Sequence, residues 1–252
     1  MRLKTRCKKR GDIEGIAFDL DGTLYPNYRF NIRLLPFLIK EWRLLSAFGK
    51  TRIIIRNLQE KIQKNIPGGK FSDFVSQFPV SNGDFYELQS EITAKILGVP
   101  AQPLKEKIEK MIYRGWEEFF KKIKLFKHVR ETLTSFKNAG YKLGLLSDFP
   151  PGIKLDHLKL NNLWDAVHCS ETSGALKPHP LSFTKLAAGM DLPCEKIIYV
   201  GNSHSYDVTG AFRAGMKTAL IKWPLAVNTA HKKPKPDFSF SNYRQLYDFM
   251  LE

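Results

Sequence analysis

Two carboxylates lie two residues apart in the segment FDLDGT, where Asp19 and Asp21 flank Leu20 and are followed by Gly22 and Thr23. Side chains two apart in a strand point to the same side, so both carboxylates reach one centre if the extended backbone persists. Neighbouring carboxylates repel each other and shift each other's pKa unless a cation or an acid–base role accompanies them. The spacing therefore favours a chemical site, although solvated loops after strands are also rich in Asp and Gly.

Further polar residues follow later apolar segments of the chain. Ser147 ends LLS, Lys177 lies in GALKPHP, and YVGNSHSYD places Asn202 and Asp207 just after an apolar run. Taken singly, each has an ordinary structural explanation as a strand end, a solvated loop charge or a helix cap. Their significance depends on the elements that would bring them together.

Short apolar runs bounded by turn signals predict the strands of a sheet. These runs cover 13–20, 141–147, 196–201 and 217–221, with a weaker candidate at 165–170. Helical patterns lie between them at about 128–139, 180–190 and 205–214. This alternation predicts an α/β fold with a doubly wound, Rossmann-like parallel sheet. In such sheets, polar residues at the carboxyl ends of the strands converge on one crevice.

The stretch from 25 to 127 interrupts the alternation with amphipathic helical patterns. The expected helices are 32–47, 51–65, 84–97 and 103–123, divided by Gly49, Pro67-Gly68-Gly69, Asn82-Gly83 and the segment from Pro100 to Pro103. The chain is therefore expected to form a core from 1–24 and 128–252, with a basic tail at 1–10. An all-helical insert, 25–127, would start at the edge of the crevice.

The composition is that of a folded protein, with 43% hydrophobic and 26% charged residues among 252. The formal net charge is +15, but it is unevenly distributed: +6 in 1–10, +10 in 24–130 and −1 in the remainder. A nearly neutral remainder argues against a nucleic-acid-binding protein, and no zinc finger or RNA-recognition signature is present. The basic regions are either solvated surface or a means of capturing an anionic partner.

The chain has no apolar stretch of the roughly 18 residues that a membrane span requires, and no secretory signal. We therefore expect a cytoplasmic protein without an integral membrane segment. Weak contact of the basic tail and helices with an anionic membrane surface stays open. The three cysteines, Cys7, Cys169 and Cys194, are odd in number and widely spaced, which favours reduced thiols.

The order of the motifs is more specific than any one of them. FDLDGTL, LLSD, LKPHP and VGNSHSYD follow one another at the ends of predicted strands. In this order the sequence resembles the haloacid dehalogenase superfamily, whose motifs are Asp-x-Asp-Gly-Thr, a strand-terminal Ser or Thr, a Lys before Pro, and an acidic loop. The resemblance covers 13–24 and about 126–222.

The resemblance implies roles for the matching residues. Asp19 would attack phosphorus and form an aspartyl-phosphate, and Asp21 would protonate the leaving oxygen and later activate water. Ser147 and Lys177 would hold the transferring phosphoryl oxygens, where negative charge accumulates. The other residues expected to contact substrate are Gly22, Thr23 and Asp148, the last through its backbone N–H.

The resemblance also implies one Mg²⁺ ion, which prefers oxygen ligands. Its ligands would be the Asp19 carboxylate, the Asp21 backbone carbonyl and Asp207, with Asn202 nearby. Asn202 departs from the family pattern, which has an acid at this position, so weaker Mg²⁺ binding is expected. His204 in the same loop is expected to be exposed or to contact substrate, because Asp21 already supplies the acid.

The implied function is a Mg²⁺-dependent phosphatase that acts on a small phosphorylated metabolite, a phosphomonoester. Asp21 separates phosphatases and phosphomutases from the dehalogenases of the superfamily, which lack this second acid. A phosphomutase stays open, as does a noncatalytic protein that binds an anionic partner. In the family, an insert between the first two motifs acts as a mobile cap, and the +10 charge of 24–130 suggests a substrate with further anionic groups.

Overall fold

The computed structural model describes residues 11–27, 39–65, 84–115, 117–223 and 232–252. Some sequence predictions fall outside these described residues. They are the basic tail 1–10, the start of the first predicted insert helix at 32–38, and the turns at Pro67-Gly68-Gly69 and Asn82-Gly83.

The core is a six-stranded sheet with strand order β3-β2-β1-β4-β5-β6, and each neighbouring pair of strands is parallel. The strands are β1 (Gly15–Phe18), β2 (Lys142–Ser147), β3 (Ala166–Cys169), β4 (Ile197–Gly201), β5 (Lys217–Ile221) and β6 (Phe238–Phe240). All five predicted strands are confirmed, including the weaker candidate, which forms β3. Strand β6 was not predicted from the sequence, since it has only three residues and lies at the sheet edge.

Nine α-helices accompany the sheet in the described ranges. They are α1 (Trp42–Asn65), α2 (Phe85–Leu97), α3 (Ala101–Ile108), α4 (Glu117–Phe120), α5 (Val129–Asn138), α6 (Gly152–Leu158), α7 (Pro180–Gly189), α8 (Thr209–Arg213) and α9 (Tyr243–Leu251). The predicted helices at 128–139, 180–190 and 205–214 are confirmed, the last as a π-helical turn, His204–Val208, that continues into α8. Helices α6 and α9 were not predicted from the sequence, since they are only two to three turns long.

Residues of the central strand β1 alternate between the two faces of the sheet. Ile16 and Phe18 pack on the side of α5 and α9, in one cluster with Leu133 and Leu246. Ala17, between them, packs on the side of α7 in a separate cluster. Successive side chains of a strand point to opposite faces, so both faces of the sheet are covered by helices. The doubly wound α/β fold predicted from the sequence is confirmed.

The helical insert is the chain between β1 and α5, and its described residues include α1 to α4. Its first helix corrects a prediction, because α1 runs unbroken through Gly49, where a break between two helices was expected. An interior glycine costs a helix only about 1 kcal/mol. Leu44 and Phe48 on one side of Gly49 and Ile55 on the other are all buried, and their packing outweighs that cost.

The prediction of one helix over 103–123 was wrong at both ends. Helix α3 begins at Ala101, because Pro103 lies in the first helical turn, where no intrahelical N–H bond is needed. At Ile108 the helix continues into a π-helical turn, Glu109–Tyr113, and α4 follows as a separate helix. No helix in the described ranges is both long and apolar enough to cross a bilayer.

Candidate active site

The site lies at the carboxyl edge of the sheet, around β1. The chain leaves β1 toward β2 on one side and later reaches β4 on the other, so the connections diverge at this point. Crevices at such divergence points are the usual ligand sites of open parallel sheets. Asp19 follows the last residue of β1, Ser147 ends β2, and Asn202 follows β4. The parallel register therefore places the first, second and fourth motifs side by side.

The ammonium group of Lys177 joins the first motif to the fourth. Its Nζ donates to Asp19 Oδ1 at 2.6 Å and to Asp207 Oδ1 at 2.8 Å. Lys177, Asp19 and Asp207 are all buried. Three of the predicted site residues, from three separate segments, therefore meet at one cation.

Burial and charge shift the proton affinities of this cluster. Burial raises the pKa of Asp19 to about 7; Lys177 opposes the shift, while the Asp207 and Asp21 carboxylates add to it. Burial by itself would lower the pKa of Lys177, but Asp19 and Asp207 outweigh it and hold that pKa well above its usual value. The lysine thus stays charged between the two carboxylates.

Asp207 is fixed by the loop after β4. Its Oδ2 accepts the backbone N–H groups of Asn202 at 3.1 Å and Ser203 at 2.9 Å. A Cβ atom on Gly201 would lie 2.3 Å from the Asp207 Cβ, so only glycine allows this close approach. His204, expected to be exposed or to contact substrate, is buried, and its Nε2 lies 2.9 Å from the carbonyl oxygen of Pro234.

Asp21 lies in a different environment from Asp19. Lys154 Nζ donates to both carboxylate oxygens of Asp21 at 2.7 Å, and the Tyr25 hydroxyl also donates to this carboxylate. The Asp21 side chain remains 28% exposed, so a substrate can reach it. Lys154 was not predicted as a site residue, because it lies on the unpredicted helix α6 and belongs to none of the four motifs.

The second motif contributes Ser147 and Asp148. Ser147 is fully buried, and its Oγ accepts the backbone N–H of Phe149 at 3.3 Å. The Asp148 carboxylate accepts from Arg56 at 2.7 Å and from the backbone N–H of Lys177 at 3.1 Å. Burial by itself would raise the pKa of Asp148, but Lys177, Arg52 and Arg56 lower it to about 2. The carboxylate is therefore ionised and compensated by these cations.

Gly22 and Thr23 form the turn that follows Asp21. Gly22 has a φ of +87°, and a Cβ atom there would lie 2.2 Å from Asn202 Nδ2, so a larger residue would be strained and would clash. Thr23 is buried, and its hydroxyl donates to Asp19 Oδ2 at 2.8 Å. The Asn202 side chain thus packs against the first motif.

Helix α1 of the insert contacts the core directly beside the site. Arg52 forms a buried ion pair with Glu171, and Arg56 Nε donates to the carbonyl oxygen of Lys177 at 2.8 Å. Gln59 Nε2 reaches the carbonyl oxygen of Gly174 at 2.6 Å. These residues were not predicted from the sequence, because polar and charged residues on an amphipathic helix usually face solvent.

The carboxylates of the site are the kind of ligand that Mg²⁺ binds. Asp19 and Asp207 reach a single ammonium nitrogen, so their carboxylates already converge on a position that carries positive charge. Within the described ranges no three His, Cys, Asp or Glu side chains cluster as a metal site. Mg²⁺ does not require such a cluster, because it binds one or two carboxylates and keeps several waters.

A doubly wound α/β core that gathers Asp19, Lys177 and Asp207 at its carboxyl edge defines the class of this protein. The chain belongs to the haloacid dehalogenase-like hydrolases, whose family model matches residues 13–215. The resemblance found in the sequence is thereby confirmed over most of the chain.

Individual relatives carry phosphatase names. The pyrophosphatase PpaX of Bacillus thuringiensis (strain Al Hakam) is 30% identical over 132 residues, which is 50% of this chain and 60% of the relative. The chain thus matches less than two thirds of that relative's length. The glyceraldehyde 3-phosphate phosphatase of Methanopyrus kandleri is 24% identical to this chain. The alignment covers 95% of this chain and 98% of the relative's length.

Solved structures share the fold. The magnesium-bound protein YfnB of Bacillus subtilis aligns with a TM-score of 0.57 at 15% identity, covering 94% of this chain and 98% of its own. At this identity the likeness establishes the fold alone.

Proposed function

We propose that this protein is a Mg²⁺-dependent phosphatase that hydrolyses a phosphomonoester through an aspartyl-phosphate on Asp19. The observation that carries the proposal is the contact of Lys177 with both Asp19 and Asp207, while Asp21 lies beside them with a separate cation. Two carboxylates in different environments suit two different chemical roles. The phosphatase names of the relatives and the magnesium in YfnB are consistent with this assignment.

In the first step, an Asp19 oxygen attacks phosphorus and the bond from phosphorus to the leaving oxygen breaks. Thr23 and Lys177 donate to the Asp19 carboxylate and orient it for this attack. Asp21 delivers a proton to the leaving oxygen, so the product is a neutral alcohol. Lys177 and the hydroxyl of Ser147 are the proposed donors to the transferring phosphoryl oxygens, with the Asp148 backbone N–H.

In the second step, water attacks phosphorus of the aspartyl-phosphate, and Asp21 accepts its proton. Lys154 donates to both oxygens of Asp21 and orients the carboxylate for this step. The bond from phosphorus to Asp19 then breaks, which releases inorganic phosphate and restores the carboxylate. Mg²⁺, held by Asp19, the Asp21 carbonyl and Asp207, would neutralise charge between the phosphoryl group and the carboxylates.

The helical insert is proposed to act as the cap over this site, with 25–127 as the cap and the remainder as the catalytic core. Its contacts through Arg52, Arg56 and Gln59 fall on loops that carry the second and third motifs. Closure of such a cap excludes water from the reacting groups.

A panel of phosphomonoesters tests the proposed function. We expect the purified protein to release inorganic phosphate from at least one ester in the presence of Mg²⁺, and to stop when EDTA removes the metal. Alcohol and phosphate should appear in equal amounts, because water is the acceptor. Transfer of the phosphoryl group to a sugar hydroxyl would instead establish a mutase, and lack of activity on every ester would favour a noncatalytic binding protein.

Restoring the missing acid of the fourth motif should strengthen metal binding. We expect Asn202→Asp to bind Mg²⁺ at least about 10-fold more tightly, since a unit charge about 4 Å from the ion contributes up to about 4 kcal/mol before screening. Calorimetric titration of Mg²⁺ into the substrate-free protein measures the effect. Asn162→Asp, which adds the same charge at an exposed position, serves as the control. Equal affinities for wild type and Asn202→Asp would contradict a metal-ligating role for this loop.

A further inference from the structure

A cavity of about 570 Å³ lies between the helical insert and the core. Ile112, Tyr113 and Phe120 line it from the insert, and Phe149, Ile153 and Lys154 line it from the core. Ligand pockets of proteins commonly have volumes of 300 to 1,000 Å³. The cavity is therefore large enough for an organic leaving group of one or two rings. We refer to it below as the aromatic cleft.

Lys154 connects the aromatic cleft to the catalytic acid. Its Nζ is 2.7 Å from both oxygens of Asp21, and it lies 5.1 Å from the ring centroid of Phe120 and 5.9 Å from that of Phe149. A single ammonium group thus separates the Asp21 carboxylate from the cleft. A leaving group whose oxygen contacts Asp21 can therefore extend past Lys154 into the cleft.

The cleft wall nearest to Lys154 is apolar and largely aromatic. Phe149 and Tyr113 meet there with ring centroids 6.1 Å apart, and the buried Ile112 and Phe120 continue the surface. The charged residues Glu109 and Arg114 also line the cleft, but they pair with each other at 2.9 Å and are largely exposed. A leaving group with several hydroxyls or a second phosphate would lose its hydration against these rings.

We propose that the aromatic cleft binds the leaving group, and that the substrates are phosphate monoesters of aromatic alcohols. The proposal rests on the proposed phosphatase function and specifies its substrate class. Aromatic rings of the substrate pack against Phe120, Phe149 and Ile153, while the ester oxygen remains within reach of Asp21. The cleft thus favours a different leaving group from those in the names of the two relatives.

Benzyl phosphate and ethyl phosphate provide a direct comparison. Both are esters of primary alcohols, so the chemistry at phosphorus is closely similar and the ring is the main difference. We expect kcat/KM for benzyl phosphate to exceed that for ethyl phosphate by at least about 10-fold, because burial of even one methylene contributes about that much to discrimination. Glycerol phosphate and pyrophosphate should be no better than ethyl phosphate.

A matched pair of variants locates the preference in the cleft. Ile153 lines the cleft and is 39% exposed, while Ile96 on α2 does not line it and is 38% exposed. Ile153→Gln should reduce the ratio of the benzyl to the ethyl kcat/KM by about 3- to 10-fold, through loss of apolar contact without added charge. Ile96→Gln should leave this ratio unchanged. The same ratio in both variants would overturn the assignment of the cleft.

Binding of non-hydrolysable analogues separates the two proposals. Benzylphosphonate should bind at least about 10-fold more tightly than ethylphosphonate in calorimetry, and Ile153→Gln should reduce this difference. Hydrolysis of esters without any benzyl preference, or with a preference for pyrophosphate, would overturn the aromatic cleft and leave the phosphatase intact. Hydrolysis of no ester would overturn both.

Discussion

Asp19→Asn is expected to lower kcat by more than about 10³-fold on any substrate that the wild type hydrolyses. The amide cannot attack phosphorus as a carboxylate does, so no acyl phosphate forms. The substitution preserves the shape of a buried side chain, and Lys177 keeps its contact with Asp207. The loss should therefore reflect chemistry rather than unfolding.

Two measurements check this prediction. Steady-state rates give the loss in kcat, and acid quenching with a radiolabelled ester should trap phosphate on the wild type but not on Asp19→Asn. Asp191→Asn is the control, because Asp191 is exposed and its φ of 51° suits asparagine equally well. A variant that retains a tenth of the wild-type kcat, or still carries label, would rule out Asp19 as the nucleophile.

Asp21→Asn should have an effect that depends on the leaving group. For an alkyl ester, whose alkoxide must be protonated as it departs, we expect kcat to fall by about 10²- to 10⁴-fold. For 4-nitrophenyl phosphate, the leaving phenolate needs little protonation, so the first step should survive. The second step should still be slow, because the water has lost its base.

Rapid-mixing kinetics measure the two steps separately. With Asp21→Asn, 4-nitrophenol should appear as a burst of about one equivalent per enzyme, followed by slow turnover, because the aspartyl-phosphate accumulates. Asp191→Asn again serves as the control, and should show wild-type kinetics. Equal losses on both esters with no burst would mean that Asp21 does not serve as both acid and base.

The sequence predicts the core more completely than the insert. Strands β1, β2, β4 and β5 are continuous apolar runs because they are buried on both faces, and such runs are readable without a structure. In the insert, by contrast, the prediction of a helix break at Gly49 was wrong. Packing decides whether an interior glycine interrupts a helix, and here Leu44, Phe48 and Ile55 are buried on both sides of it. The residues against which these side chains pack lie elsewhere in the chain, so no local sequence pattern predicts the packing.

The candidate site likewise contains residues that the sequence predicts and residues that it does not. Asp19, Ser147, Lys177 and Asp207 could be predicted because each lies at the end of a strand or in the connection after it, and parallel strands end at one edge of the sheet. Lys154 could not, because its pairing with Asp21 spans 133 residues and lies outside the four motifs. The Arg52 pairing with Glu171 spans 119 residues and was missed for the same reason.

The sequence by itself determined the fold class and the residues at the strand ends, because periodicity and motif order are local properties of the chain. Only the tertiary structure decided which cation accompanies each carboxylate, since these pairs form between segments that are distant along the chain. It also decided the shape of the aromatic cleft, where side chains of the insert and of α6 meet across a gap. Burial fixes such partners, because a charge removed from water must find its counterion in the folded protein.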